Sequence, residues 1–218
     1  MNIFLSGATG GIGSKIKENF ETNGHTVFSP RRLELDMADL KSVQKFLESF
    51  NNKIDILINN AGVSEPHEFI NLNIEDFQRL TNNNFTSHLL ITQHFLKNFV
   101  NNSSGTILNI GSIRISELKQ GRFEYSLNKS SLHMMTKYIV KEYSKYNIIC
   151  NTLSPGYVNT NMLYKNNSEP KLKNMLEEIP LKRFASAEEI AKLTYFLCIE
   201  NSYINGQNII IDGGLSCK

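Results

Sequence analysis

Tyr125 and Lys129 are the residues whose types and spacing best fit acid–base chemistry in this sequence. Four positions apart on a helix, their side chains leave from the same face. A phenol has a pKa of about 10, and a nearby ammonium group favours the phenolate and lowers that pKa. General acid–base catalysis needs such tuning towards the working pH. Because the same pair also occurs on many solvated helices, the surrounding chain must decide its meaning.

Ser112 precedes Tyr125 by thirteen residues and follows a predicted buried strand at 105–110. Active sites of open α/β sheets lie at the carboxyl ends of the strands, so Ser112 is well placed to join the pair. It precedes a loop and lacks the strand-to-helix elbow of a hydrolase nucleophile. The position therefore favours a hydrogen-bonding role over nucleophilic attack.

A glycine-rich segment at 6–13, with the sequence SGATGGIG, lies between an apolar run at 3–5 and a helical stretch that ends near Thr22. Glycines in this context permit a tight turn. They also let a pyrophosphate approach the backbone amides and positive dipole of the helix N-terminus. The segment predicts a dinucleotide site.

The second predicted strand, at 26–29, ends without an acidic residue and is followed by Arg31 and Arg32. An acidic residue at this point favours a free ribose 2′-hydroxyl, whereas arginine favours a 2′-phosphate. We therefore expect NADP(H) in preference to NAD(H), against the alternative of a solvated basic turn.

Strand and helix patterns alternate along the whole chain. After the first two strands, short apolar runs predict strands at 33–36, 54–58, 105–110, 148–153 and 208–212. Helical periodicity predicts helices over 39–50, 74–101, 125–146 and 187–197, the last capped by Ser186. This alternation predicts a single α/β domain over 1–218, built on a doubly wound parallel sheet of about seven strands with helices on both faces.

Two connections stand out in that scheme. The chain between the second strand and the predicted strand at 33–36 is too short for a crossover helix, so this layer should be thinned. The polar, irregular stretch at 157–180 is typical either of a mobile lid over a substrate or of an ordinary surface excursion.

Composition restricts the function classes. A net charge of +2 with dispersed basic residues gives no reason to expect nucleic acid, and no apolar run approaches the ~20 residues of a membrane span. Three cysteines and five histidines show no metal-like spacing, so no metal site is expected. The N-terminus enters a strand pattern directly, without a signal sequence, and we expect a cytoplasmic protein.

In this order, the motifs resemble those of the short-chain dehydrogenase/reductase family, in its short-subunit branch, from about residue 2 to residue 214. Ser87 stands where that family often has glycine, and the connection before 33–36 is unusually short. The motifs that carry the resemblance are Ser6-Gly7-x-x-x-Gly11-x-Gly13, Asn59-Asn60-Ala61-Gly62, Asn84, Ser112, Tyr125-x-x-x-Lys129, the segment 151–160 and Asp212-Gly213-Gly214.

The resemblance implies a catalytic set on a Rossmann fold. Tyr125 would exchange a proton with the substrate oxygen, and Ser112 would hydrogen-bond that oxygen and stabilise its developing charge. Lys129 would bind the nicotinamide ribose and lower the pKa of Tyr125. Asn84 would hold a water in a proton relay. The adjacent Asn82 and Asn83 leave open which of the three matches the family's asparagine.

The resemblance and the motifs also define a cofactor-binding set. Asp36 resembles the acidic residue that the family carries after its third strand, and segment 151–160 resembles the one that holds the nicotinamide carboxamide. The expected cofactor residues are Gly7, Thr9, Gly10, Gly11, Ile12, Gly13, Ser29, Arg31, Arg32, Asp36, Asn60, Ala61, Gly62, Tyr125, Lys129, Pro155, Gly156, Val158 and Thr160.

The implied activity is NAD(P)-dependent oxidation or reduction of a small carbonyl or alcohol substrate, either a keto-sugar or a 3-oxoacyl-type compound. Family members pair through two long helices, here near 74–101 and 125–146, which implies a homodimer or homotetramer. The alternative is a catalytically idle NADP-binding sensor or partner protein. A sugar epimerase or dehydratase fits poorly, because such chains carry a larger C-terminal substrate region.

Overall fold

The protein is built on one parallel sheet. The computed structural model describes residues 1–165 and 167–217. Across these residues the sheet has six strands in the order β2-β1-β3-β4-β5-β6, and every neighbouring pair is parallel. The strands are β1 (Asn2–Leu5), β2 (Thr26–Phe28), β3 (Ile56–Asn59), β4 (Gly105–Ile110), β5 (Ile148–Pro155) and β6 (Asn208–Ile211).

Helices cover both faces of this sheet, which confirms the predicted doubly wound α/β arrangement. Because side chains alternate along a strand, Phe4 packs into the core on one face, while Ile3 and Leu5 pack into the core on the other. The helices are α1 (Gly11–Thr22), α2 (Leu40–Ser49), α3 (Ile74–Thr81), α4 (Ser87–Asn102), α5 (Phe123–Tyr143), α6 (Asn161–Lys165), α7 (Glu169–Glu178) and α8 (Ala187–Tyr195).

The helix predicted over 74–101 is interrupted once. A single turn of π-helix, Asn82–Thr86, joins α3 to α4 and contains the run of three asparagines. Such bulges insert an extra residue into a helix and occur frequently at functional sites. Helix α5 begins two residues before Tyr125, and a short 3-10 turn, Ser144–Tyr146, extends it to the predicted end.

The strand predicted at 33–36 is wrong, and the sheet has six strands across the described residues instead of about seven. The carbonyl of Arg31 accepts from the amides of Glu34 (2.9 Å) and Leu35 (3.0 Å), which closes a turn. A further parallel strand would require a crossover of a dozen residues or more, and the chain passes directly into α2 instead. Leu35 is buried from this turn, which explains its apolar character.

Ser186 caps α8 as predicted. Its hydroxyl accepts from the amide of Glu189 (3.2 Å), and the Glu189 carboxylate accepts from the amide of Ser186 (2.8 Å). This reciprocal capping box satisfies two backbone donors at the start of a helix that packs on α1. Within the described residues, we find no helix with the length and apolar character that a membrane span would need.

Candidate active site

The carboxyl ends of β1, β3, β4 and β5 open into one cleft of about 560 Å³. All strands run parallel, so the segments that follow them meet at the same edge of the sheet. The cleft therefore gathers residues far apart in the chain. The predicted residues that line it are Gly7, Thr9, Gly10, Gly11, Ile12, Gly13, Arg32, Asp36, Asn60, Ala61, Gly62, Ser112, Tyr125, Lys129, Pro155, Gly156, Val158 and Thr160.

Lys129 is held at the floor of this cleft with only 3% of its surface exposed. Its Nζ donates to the carbonyl of Ile110 at 2.7 Å and lies 5.7 Å from the centre of the Tyr125 ring. Burial lowers the pKa of the ammonium to about 8, because the low-dielectric surroundings disfavour charge. The side chain is thus a fixed cation that can lose its proton within the mildly alkaline range.

Tyr125 lines the cleft with a half-buried side chain. Burial raises the pKa of its phenol, while a hydrogen bond with Ser112 and the positive charge of Arg122 act in the opposite direction. Ser112 is itself 8% exposed, at the point where β4 ends. The largest contributions that favour the phenolate come from Ser112 and Arg122, whereas the sequence led us to expect Lys129.

Asn84 lies behind the cleft wall, within the π-turn, and is fully buried. Its Oδ1 accepts from the amide of Val63 (2.8 Å), and its Nδ2 donates to the Val63 carbonyl (2.9 Å) and to Glu124 Oε1 (3.1 Å). A Cβ added to Gly62 would stand 3.3 Å from Asn84 Oδ1 and 3.5 Å from Lys129 Nζ. Asn84 and Lys129 therefore flank the same glycine.

Glu124 is a site residue that the sequence analysis missed. The residue is 3% exposed, and burial raises the pKa of its carboxyl group, while the hydrogen bond from Asn84 acts against that shift. A glutamate in the first turn of a helix normally faces solvent and complements the helix dipole. Only the packing of α5 against the π-turn shows that this one points inward.

The glycine segment fits a pyrophosphate group. Gly7 has φ of +71°, and a Cβ there would stand 2.7 Å from the Cα of Ala61, so no other residue fits without strain. A Cβ on Gly13 would collide with the Gly7 carbonyl. Gly10 is the N-cap of helix α1 and brings no side chain to the first-turn amides. Those amides stay available to an anion, as dinucleotide binding requires.

Ser6 and Asn60 fasten this segment to β3. Ser6 Oγ accepts from the amides of Asn60 and Ala61, both at 3.0 Å, and Asn60 Nδ2 donates to the carbonyls of Ser6 (2.9 Å) and Gly7 (3.0 Å). On the opposite wall, Thr160 approaches Gly11 closely. The first and fifth strands thus supply two facing sides of one groove.

The predicted adenosine end is more exposed. Arg32 Nε lies 3.4 Å from Asp36, and Arg31 Nε lies 3.7 Å from Glu34. Arg32 and Asp36 line the cleft, whereas Ser29, Arg31 and Asn84 lie outside its described lining.

Three basic residues in the cleft wall, Arg114, Lys119 and Arg122, were not singled out from the sequence. They belong to an irregular stretch between β4 and α5, where no periodicity indicates which side chains face inward. Tyr157, which follows β5, meets two of them. Over residues 1–165 and 167–217, no cluster of three histidine, cysteine or acidic side chains is arranged to hold a metal ion.

Comparison with known proteins assigns the chain to a family. A sequence family described as enoyl-(acyl carrier protein) reductase matches residues 8–216. The 3-oxoacyl-(acyl-carrier-protein) reductase of Aquifex aeolicus (strain VF5) is 32% identical, over 97% of this chain and 95% of its own. The acetoacetyl-CoA reductase of an Acinetobacter species (strain RA3849) is 29% identical, over 97% of this chain and 96% of its own.

Solved structures agree with these relatives. A short-chain dehydrogenase family protein from Francisella tularensis superimposes with a TM-score of 0.87 at 26% identity, over 100% of this chain and 99% of that one. This chain therefore belongs to the short-chain dehydrogenase/reductase family and is an NAD(P)-dependent oxidoreductase that acts on carbonyl or CH–OH groups.

Proposed function

We propose that this protein reduces the ketone of a 3-oxoacyl-type compound to an alcohol with NADPH, or catalyses the reverse reaction, with Tyr125 as the acid–base group. One observation carries the proposal: a buried lysine, Lys129, lies 5.7 Å from the ring of Tyr125, and Ser112 lines the same cleft as both residues. The same cleft contains the glycine segment that fits a pyrophosphate.

The protein's own residues then have distinct tasks. The nicotinamide cofactor supplies the hydride when it is bound. Tyr125 gives its phenolic proton to the ketone oxygen during reduction and takes a proton back during oxidation. Ser112 donates a hydrogen bond to that oxygen, where negative charge develops, and so stabilises the transition state more than the ground state.

Lys129 acts as a cation beside the phenol. Its ammonium group favours the phenolate left after proton transfer and binds ribose hydroxyls, for which its three donors suit it. Asn84 takes part in re-protonation by holding a water next to Lys129. Two observations support this role. The side chains of Asn84 and Lys129 both approach Gly62, and hydrogen bonds with the backbone of Val63 fix the side-chain amide of Asn84.

The relatives support a 3-oxoacyl-type substrate over a keto-sugar. Two proteins aligned along nearly the whole chain are named for reduction of 3-oxoacyl and acetoacetyl thioesters. The preference for NADPH rests on Arg32, which lines the cleft where the adenosine ribose would lie. Because the Arg32 side chain is largely exposed, its ion pair with Asp36 leaves the guanidinium able to turn towards a 2′-phosphate.

Purified protein, NADPH or NADH, and a set of 3-oxoacyl thioesters, 3-oxo acids and keto-sugars test the proposal through consumption of the reduced cofactor. We expect turnover with the 3-oxoacyl compounds and faster turnover with NADPH. Turnover of none of these ketones with either cofactor would contradict it. It would favour the idle sensor instead, whose cofactor affinity would be measurable without reaction.

We also propose a homodimer or homotetramer formed through α4 and α5, as the family resemblance implies. Leu127, Met134 and Tyr138 of α5 expose 41%, 51% and 61% of their surface and lie along one side of the helix. Size-exclusion chromatography with light scattering measures the stoichiometry directly, and Tyr138→Glu should shift it towards monomer. A wild-type protein that elutes at 24.8 kDa would contradict the proposal.

A further inference from the structure

We propose that Arg114, Lys119, Arg122 and Tyr157 form an oxyanion-binding subsite, which holds a carboxylate or phosphate of the substrate beside the ketone that is reduced. We call these four residues the cationic subsite. The inference rests on the proposed function, since it names the substrate class of that same cleft. Its basis is the arrangement of three positive charges in a substrate-facing wall.

Tyr157 joins two of the cations. Its hydroxyl oxygen accepts from the guanidinium of Arg114 at 2.8 Å and from Lys119 Nζ at 2.9 Å. The same two groups lie 5.3 Å and 4.9 Å from the centre of its ring. A phenol oxygen has two acceptor positions, and both are used to keep these like charges together. Within the part of the chain that the structure describes, Arg114 makes one further side-chain bond, to the carbonyl of Glu117, and the other N–H donors of both side chains are available to a ligand.

Arg122 supplies the third charge from the start of α5. Its guanidinium donates to Ser64 Oγ at 2.6 Å and is half-buried. Burial lowers the pKa of the guanidinium, and the charge of Arg114 contributes to the same shift. The two arginines are thus near enough for their charges to repel each other, and both face the cleft.

The side chains of this group donate to neutral oxygens. Besides Tyr157 and Ser64, Arg114 donates to the backbone carbonyl of Glu117 at 2.7 Å. Over the described ranges 1–165 and 167–217, no carboxylate lies at ion-pair distance from Arg114, Lys119 or Arg122. A bound anion would therefore neutralise the positive charge of this group. It would also accept charge-assisted hydrogen bonds from the arginines, which are stronger than bonds between neutral groups.

The subsite adjoins the reacting centre. The backbone amide of Arg114 donates to Ser112 Oγ at 3.2 Å, and the positive charge of Arg122 lowers the pKa of Tyr125. Both residues lie in the stretch between β4 and α5, and β4 is separated in the sheet from β2, the strand before Arg31 and Arg32, by β1 and β3. An anion held here would thus stand within a few bonds of the ketone, apart from the phosphates of the cofactor.

This placement distinguishes substrates. In a 3-oxoacyl thioester the group beside the ketone is neutral, and the phosphates of its carrier are many bonds away. In a free 3-oxo acid or a keto-phosphate, the negative charge is close to the ketone. The subsite matches the second class. We therefore infer that, within the proposed carbonyl reduction, this protein prefers small anionic ketones to the acyl thioesters for which its relatives are named.

Matched pairs of ketones test the inference with NADPH: acetoacetate against ethyl acetoacetate, and dihydroxyacetone phosphate against dihydroxyacetone, with acetoacetyl-CoA as a further arm. We expect kcat/KM to be about 10- to 100-fold higher for the anionic member of at least one pair, the range that charge-assisted hydrogen bonds provide. The pair with the larger ratio identifies the oxyanion as carboxylate or phosphate.

Charge-removal variants locate the effect. Lys119→Met should raise KM for the anionic ketone about 10- to 100-fold while changing KM for the neutral partner less than about 2-fold. Arg122→Met should raise KM for the anionic ketone by a similar factor, and it should also change kcat for both ketones alike, because the charge of Arg122 acts on the pKa of Tyr125. Arg122→Lys should restore part of the loss. Lys141→Met, which removes an exposed charge in the last turn of α5, is the matched control and should change neither. Melting temperatures show that each variant is folded.

Two results would overturn the inference and leave the proposed reduction standing. One is a kcat/KM for the neutral ketones that equals or exceeds the value for their anionic partners. The other is a similarly high kcat/KM for acetoacetyl-CoA that Lys119→Met and Arg122→Met do not change. If the wild type reduces no ketone, the proposed function fails instead. Titration calorimetry with malonate and with inorganic phosphate then still tests the subsite. Binding that Lys119→Met and Arg122→Met weaken supports it, and wild-type binding of neither anion refutes it.

Discussion

Basic side chains form two groups near the cleft, one after β2 and one after β4, and their partners differ. At the adenosine end, Arg31 and Arg32 are exposed, with 77% and 82% of their side-chain surface accessible, and each lies beside a carboxylate of its own turn. At the substrate end, the cations of the cationic subsite are half-buried and meet neutral oxygens. The same residue types are therefore neutralised to different extents, by a carboxylate in the first group and by no carboxylate partner in the second.

The difference teaches where ligand charge has most effect. An exposed ion pair contributes about 0–1 kcal/mol, so a 2′-phosphate can displace Asp36 from Arg32 at little cost but also gains little. Half-buried cations with neutral partners keep more of their field, because less water screens them. We therefore expect selectivity for the substrate charge to exceed selectivity between NADPH and NADH.

The largest effect should come from Tyr125, which lies between the two ends. Tyr125→Phe removes the proton donor and should lower kcat about 10²- to 10⁴-fold, the usual contribution of a general acid. Affinity for NADPH, measured by titration calorimetry, should change little. A variant that keeps wild-type turnover would show that the proton comes from another group.

Removing one charge at each end should separate the two groups. Arg32→Met should raise KM for NADPH about 3- to 10-fold, with KM for NADH and for the ketone unchanged, because only the 2′-phosphate uses this guanidinium. Lys119→Met should do the reverse, raising KM for an anionic ketone by a larger factor. Steady-state kinetics with NADPH and with NADH measures these changes. If both variants raised KM for NADPH equally, the two groups of basic residues would not have separate roles.

Lys129 predicts a pH dependence with opposite signs for activity and stability. Its folded-state pKa of about 8 lies below the ordinary value, so the folded protein releases this proton first as pH rises. Above pH 8 the cation disappears, and kcat/KM for reduction should fall towards about 10-fold per pH unit. Between that pH and the unfolded pKa, the unfolded state holds more protons, so this group's contribution to stability rises.

Rate profiles from pH 6 to pH 9.5 measure the first effect. Urea unfolding of wild type and of Lys129→Met at the two ends of that range isolates the second, because only the wild type contains this titrating group. An activity profile that stays flat through pH 9.5 would show that Lys129 does not act as a cation in the free enzyme.

The smallest effect should lie far from both groups of basic residues, at the cap of α8. Ser186→Ala removes the hydroxyl that accepts from Glu189 and should lower the free energy of unfolding by about 1 kcal/mol. Chemical denaturation measures the loss. Kinetic constants for cofactor and ketone should stay at wild-type values, which makes this variant a reference for destabilisation without a change in charge.

Much of the architecture was predictable because it depends on local patterns. Alternating strands and helices indicated a doubly wound parallel sheet, and Ser186 was recognised as a cap from its type and position. The strand at 33–36 was wrong because a buried leucine in a turn has the same local pattern as a strand residue. The assignment of 1–218 to a single domain stays a prediction, as do the catalytic roles.

The sequence by itself determined the chemistry-bearing types and their spacing: Tyr125 and Lys129 on one helical face, Ser112 after a strand, and glycines where backbone must approach a phosphate. Tertiary structure alone decided which charges are free. Glu124 is buried against Asn84, Arg32 is beside Asp36, and Arg122 donates to the neutral hydroxyl of Ser64. The spacing of a motif depends only on neighbours in the chain. The electrostatic effect of a charged side chain depends on the water and the partner groups that folding places around it.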